Sequence, residues 1–260
     1  MKLFDSHAHL DDEKFDVDRE EVIEKIKASG VERLISAGYS LEGSKKAVEL
    51  AKKYDFIYST CGISPNDIPQ TEEELWKNIC EIEGLVTNNL KVVAIGEIGL
   101  DYYWEKDVER RELQKKAFTK QIELANKLGL PIVIHTREAV MDTLQILKEN
   151  NVVKKGVFHC CPLNRELVKE ALKLDFYISF AGPITFKNSK NANEIIEMVP
   201  NEKILIETDS PYLSPEPFRG RRNDSSNVRY VAQKIADVKK MPLEQVANMT
   251  YENANRIFGL

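Results

Sequence analysis

Cysteine is scarce in this 260-residue chain, and Cys61, Cys80, Cys160 and Cys161 form no C-x-x-C pair. That set suits neither a disulfide framework nor a zinc finger and fits a reducing cytoplasm. No stretch approaches the roughly 18 consecutive apolar residues of a membrane span. The start, Met1-Lys2-Leu3-Phe4-Asp5, turns polar at once, so neither membrane insertion nor a secretory leader is expected. Net positive charge is also missing: 37 Lys plus Arg stand against 42 Asp plus Glu, a formal charge of -5. This excludes coating nucleic acid through an overall basic field and leaves room for a local basic patch. No G-x-G-x-x-G follows a strand pattern and no Walker motif occurs, so a nucleotide cofactor is not expected.

What the chain does have is 42% hydrophobic and 30% charged residues, enough for a full core under a solvated surface. Short β-branched runs alternate with amphipathic stretches rich in Glu and Lys, and no long linker interrupts them before Pro211. Strands are expected at 3–9, 33–37, 57–62, 92–98, 132–136, 156–160, 176–180 and 203–208. Helices are expected at 19–29, 42–53, 72–86, 108–128, 139–149, 165–173, 191–198 and 226–239. Eight strand–helix units predict one α/β domain over 1–260, a closed (β/α)8 TIM barrel, with a doubly wound sheet as the alternative.

Only four histidines occur, His7, His9, His135 and His159, and each falls at or near the C-terminal end of an expected strand. Those ends form the active face of such a barrel. Glu97 on strand four and Glu207 and Asp209 on strand eight occupy equivalent places. His7 and His9 are two apart, so they share a face, and Asp5 is expected to share it. Imidazoles with carboxylates suit Zn, Mn, Fe or Ni, and a carboxylate can bridge two ions through its two oxygens. Six ligands exceed one tetrahedral site, so two divalent metals with an activated water are expected.

Five segments together resemble the TatD-like metal-dependent hydrolases over nearly the whole chain. They are Asp5-Ser6-His7-Ala8-His9, Gly96-Glu97-Ile98-Gly99-Leu100-Asp101-Tyr102, Ile134-His135-Thr136-Arg137-Glu138-Ala139, Phe158-His159-Cys160 and Glu207-Thr208-Asp209-Ser210-Pro211-Tyr212-Leu213. The resemblance implies that His7, His9 and Asp209 hold one ion, that His135 and His159 hold the other, and that Glu97 bridges them. It also implies a cytoplasmic deoxyribonuclease acting 3'-to-5' on single-stranded DNA ends with Mg2+, Mn2+ or Zn2+, Asp209 and Glu97 being catalytic. Deacylation of D-aminoacyl-tRNA is a further activity linked to the family. The chain departs from the usual Gly-x-His-Pro-His at Gly62-Ile63-Ser64-Pro65-Asn66, and Cys161-Pro162-Leu163 replaces an aromatic and Ser/Thr-Gly pair.

Arg137, two residues beyond His135, is placed to hold a phosphate or to neutralise the carboxylates of the mouth. Arg219, Arg221 and Arg222 around Gly220 offer a basic edge, and Tyr102, Tyr103 and Trp104 offer stacking surfaces for unpaired bases. Cys160 and Cys161 are assigned to structure, since no spare histidine remains to activate a thiol. Two other classes stand beside it: an amidohydrolase with the same barrel and H-x-H start, acting on a small amide, ester or lactone, and a non-catalytic metal-binding or interaction barrel. The first commonly bridges its metals with a modified lysine on strand four, where this chain has Glu97. The second needs no ionised, water-facing carboxylates such as Glu207 and Asp209 beside the metals.

Overall fold

A computed structural model describes residues 1–260. Its strands are β1 (Leu3–Ala8), β2 (Val31–Ser36), β3 (Ile57–Cys61), β4 (Val92–Asp101), β5 (Ile132–Arg137), β6 (Gly156–Phe158), β7 (Tyr177–Phe180) and β8 (Ile204–Ile206). They run parallel and pair in chain order. Beyond β8 the chain returns to β1: Asp209 N donates to His7 O at 2.9 Å and His9 N to Ser210 O at 2.7 Å. A buried Ser6 Oγ–Ile206 O hydrogen bond of 3.0 Å supports that seam. The expected TIM barrel is thus the architecture found.

The helices α1 (Arg19–Ala28), α2 (Leu41–Lys53), α3 (Glu72–Thr87), α4 (Val108–Leu128), α5 (Val140–Glu149), α6 (Arg165–Lys173), α7 (Ala192–Met198) and α8 (Val228–Lys239) cover the outside. Local chemistry sets their ends. Asp107 caps α4 by accepting from Arg110 N, and Gly129 ends it in the left-handed region at φ 67°. Covered outside and filled inside, the strands read as near-continuous apolar runs, and all ten residues of β4 are buried.

A ninth helix, α9 (Leu243–Phe258), was not expected, because no strand precedes it and the strand–helix alternation is complete without it. Its apolar side packs with the lower ends of the strands: Tyr251, Ala254 and Phe258 join Phe4, Val133, Val157 and Leu205 in a small core. Val133 and Val157 each lie two residues before a histidine, so the same inward strand faces that are apolar below carry His135 and His159 above. Asn253 fastens α9 by donating from Nδ2 to the carbonyls of Asn201 (2.7 Å) and Ile204 (2.9 Å). We expect Asn253→Ala to lower the unfolding free energy by about 2 kcal/mol, the scale of leaving buried carbonyls unpaired. Urea titration should show a shifted midpoint with unchanged slope; an unshifted midpoint would show that α9 docks without this anchor.

Candidate metal centre and active site

The upper ends of five strands supply the site. His7 lies in β1 and His9 just past it, Glu97 in β4, His135 in β5, His159 just past β6 and Asp209 three residues past β8. Asp209 was expected at the end of a strand eight running 203–208, but β8 ends at Ile206 and Asp209 adopts a left-handed backbone, φ 55°. That sparsely populated conformation turns its side chain back to the mouth, and Asp is among the residues that tolerate it best. Close approach of strands seats Glu97: a Cβ on Gly96 would lie 2.6 Å from Val133 Cβ. Gly99, at φ +141°, passes so near His135 that a Cβ would sit 2.0 Å from its carbonyl oxygen.

Two donor clusters result. In the first, His7 Nε2 and His9 Nε2 are 3.3 Å apart, and Asp209 Oδ1 lies 3.6 and 3.3 Å from them. Glu97 Oε2 lies 3.4 and 3.8 Å from the same two nitrogens. In the second, His135 Nδ1, His159 Nε2 and Glu97 Oε1 are separated by 3.1, 2.9 and 3.3 Å. Ligands bound tetrahedrally at about 2.1 Å stand about 3.4 Å apart, so both clusters match the donor spacing of a divalent ion such as zinc. The donor set, imidazole nitrogens plus carboxylates, matches in chemistry as well. Glu97 gives one oxygen to each cluster.

Behind these donors stands a layer that the sequence reading did not assign. Asp101 is fully buried, and its Oδ2 lies 3.1 Å from His135 Nε2, which turns Nδ1 toward Glu97. Asn66 Nδ2 donates to the same oxygen at 3.2 Å. The signal was present: Asp101 lies in the Gly96–Tyr102 segment, on the strand that carries Glu97. Glu207 was expected to face water beside the metals. It is instead fully buried, with Oε1 accepting from Cys160 N at 2.6 Å and facing His159 Nδ1 at 3.4 Å. Asp5 likewise does not join the histidines. An irregular register in β1 between Asp5 and Ala8 breaks the alternation, and its carboxylate accepts from Thr208 N and Thr208 Oγ1 instead.

Burial opposes charge throughout the cluster, yet mutual contacts override it for most groups. For Glu97 burial raises the pKa, but His159, His135 and His7 hold it well below the usual carboxylate range. Burial also opposes the charged form of His9, but Asp209 and Glu97 push it up to about 9. His7 goes the other way, lowered by burial and then by His159. His135 and His159 are raised like His9, so an arriving cation competes with protons on these three imidazoles. The thiols of Cys160 and Cys161 are driven up by burial, in keeping with structural roles.

The other expected contacts are spread along the rim. The Arg137 guanidinium lies 3.8 Å over the Tyr103 ring. Arg219 is exposed and lies over Phe186, with Nη1 donating to Asn188 Oδ1 at 3.3 Å. Arg221 is exposed, whereas Arg222 is committed to Asp18 at 2.9 Å. Tyr102 is not placed as a stacking surface: its hydroxyl donates to Asp142 at 2.7 Å, Arg111 covers its ring, and it packs on the core. Ser64, where the resemblance leads one to expect histidine, bonds Asp67 Oδ2 at 2.6 Å.

Comparison with known proteins agrees with this geometry. A family model described as TatD related DNase matches residues 4–259. An uncharacterised metal-dependent hydrolase of Bacillus subtilis (strain 168) is 47% identical over 261 residues, covering 99% of both chains. One from Escherichia coli (strain K12) is 38% identical over 267 residues, covering 100% of this chain and 97% of its own. Among solved structures, a TatD homologue from Escherichia coli K12 superimposes with a TM-score of 0.92 at 24% identity, over 99% of this chain and 98% of the other. A TatD family hydrolase from Entamoeba histolytica gives 0.85 at 25%, over 99% and 98%. With its barrel, its donor clusters and these relatives in agreement, the chain belongs to the TatD family of metal-dependent hydrolases.

Proposed function

We propose that residues 1–260 act as one unit that holds two divalent ions and hydrolyses phosphodiester bonds at the ends of single-stranded DNA, in the 3'-to-5' sense. The observation that carries this reading is the Glu97 carboxylate, whose Oε2 lies with His7, His9 and Asp209 and whose Oε1 lies with His135 and His159. The imidazole-rich set suits Zn2+ or Mn2+, with Mg2+ also in the range. Bound there, such ions supply Lewis acidity that acidifies water and polarises a phosphoryl oxygen. Asp209, 15% of whose side chain remains exposed, accepts the proton of the attacking water. Asp101 and Glu207 keep His135 and His159 oriented. Arg137, Arg219 and Arg221 hold the strand through its phosphates. The family's description as a DNase supports the choice of DNA.

Metal-saturated protein should contain two ions per chain by elemental analysis, each located by anomalous diffraction. Because raised histidine pKa values mean that protons must leave, affinity should climb as pH rises through about 9, with protons released into the buffer in calorimetry. A single ion at saturation, with His135 and His159 unliganded, defeats the binuclear reading.

Asp209→Asn keeps the shape and loses the base. It should fold, bind DNA and retain the ion at His135 and His159, yet cleave end-labelled single strands about 100-fold more slowly. Cleavage within about threefold of the parent, well under 1 kcal/mol, would remove Asp209 from the role of base. Replacing both Arg219 and Arg221 with Ala should weaken DNA binding and flatten its salt dependence. Equal losses on a small phosphodiester would assign them to structure instead.

A further inference from the structure

Immediately after β4 the chain leaves two large aromatics in water. Trp104 is 67% exposed and Tyr103 39%, and their rings meet edge to face with centroids 4.7 Å apart. The Arg137 guanidinium lies 3.8 Å from the Tyr103 ring centre and 5.6 Å from that of Trp104. Fold stability does not account for this exposure, since burying either ring elsewhere would be favourable. Nor is the pair loosely attached. Tyr103 N and Trp104 N both donate to Asp101 Oδ1, at 2.9 and 3.0 Å, while Asp101 Oδ2 faces His135 Nε2. One buried carboxylate therefore fixes the aromatic step and a member of the donor cluster relative to each other.

Resting on the reading that single-stranded DNA is the substrate, we propose that Trp104, backed by Tyr103 and flanked by Arg137, is the stacking subsite for an unpaired nucleobase next to the scissile phosphate. An indole face accepts any base because every base has a π-face, so the site would be tolerant of sequence. Arg137 adds the positive charge that a neighbouring phosphate requires, on a protein whose formal charge is -5. The patch amounts to two rings bordered by the Lys106–Glu138 ion pair, far smaller than a protein interface needs and the right size for one base. Anchoring through Asp101 prepays the ordering of the platform.

Trp76, on α3, is the only other tryptophan, so Trp76→Phe makes Trp104 the sole indole reporter. With chelator present to prevent cleavage, a short oligothymidylate should quench its fluorescence, and a strand of equal length made of abasic sites should quench it far less. In turnover, Trp104→Ala should raise KM for the oligothymidylate about tenfold, with a much smaller change in kcat, and Trp104→Phe should recover most of the loss. The loss should also exceed that on bis(p-nitrophenyl) phosphate. Equal quenching by the abasic strand, an unchanged KM, or matching losses on both substrates would overturn the subsite. A parent enzyme that fails to cleave any DNA sinks the DNA reading instead, while persistent, base-dependent quenching would still support the platform.

Discussion

A carboxylate held among four imidazoles at the top of a barrel is the constraint on which the other features depend. Glu97 is 7% exposed, and a lone buried charge is among the most costly things a fold can contain. It is tolerated because each oxygen faces imidazole nitrogens, and these contacts hold Glu97 well below the usual carboxylate range against its burial. Protons and divalent ions are alternative answers to one electrostatic problem. Removing Glu97 would leave the imidazoles crowded against one another, with His7 and His159 stacked at 4.0 Å between ring centres.

The barrel meets this demand by breaking its own regularity where the donors sit. The β4–β5 register shifts between Ile95 and Ile98, around Glu97, and β1 is irregular between Asp5 and Ala8, around His7. Cys160 and Asp209 follow ligands or serve as one with positive φ, 37° and 55°. Such conformations cost of order 1 kcal/mol each and persist where surrounding contacts over-determine them. The apolar plug at the opposite end, closed by α9, contributes stability without touching the donors. The donors occupy the top of the barrel, and the apolar core closed by α9 occupies the bottom.

This division explains what was legible from sequence. Eight apolar runs at regular spacing announced the barrel, and four histidines at the ends of those runs announced the mouth, because both depend only on period and position. Residues that act by turning a neighbour were not legible. Asp101 and Glu207 look like any other carboxylates near strand ends; only the fold shows that one faces His135 and the other lies sealed behind His159. Tyr102 was grouped with Tyr103 and Trp104 because adjacency in sequence says nothing about which ring Asp142 and Arg111 will claim. Asp5 was misplaced because alternation was assumed across an irregular strand. α9 escaped because the barrel pattern is complete without it.

The departures at Ser64 and Asn66 can be understood in the same physical terms. Ser64 turns its hydroxyl to Asp67, and Asn66 spends its amide on Asp101. An imidazole at either position could carry a proton toward a phosphate, but here the Ser64 hydroxyl serves Asp67 and the Asn66 backbone N–H, and the Asn66 amide serves Asp101. On the proposed reading, positive charge for a phosphate comes from elsewhere on the rim. Arg137 is the candidate best placed by connection, since it ends the strand that carries His135 and lies over the aromatic step fixed by Asp101. A guanidinium also differs from an imidazole in kind: it stays charged at every working pH and offers a planar fork of donors.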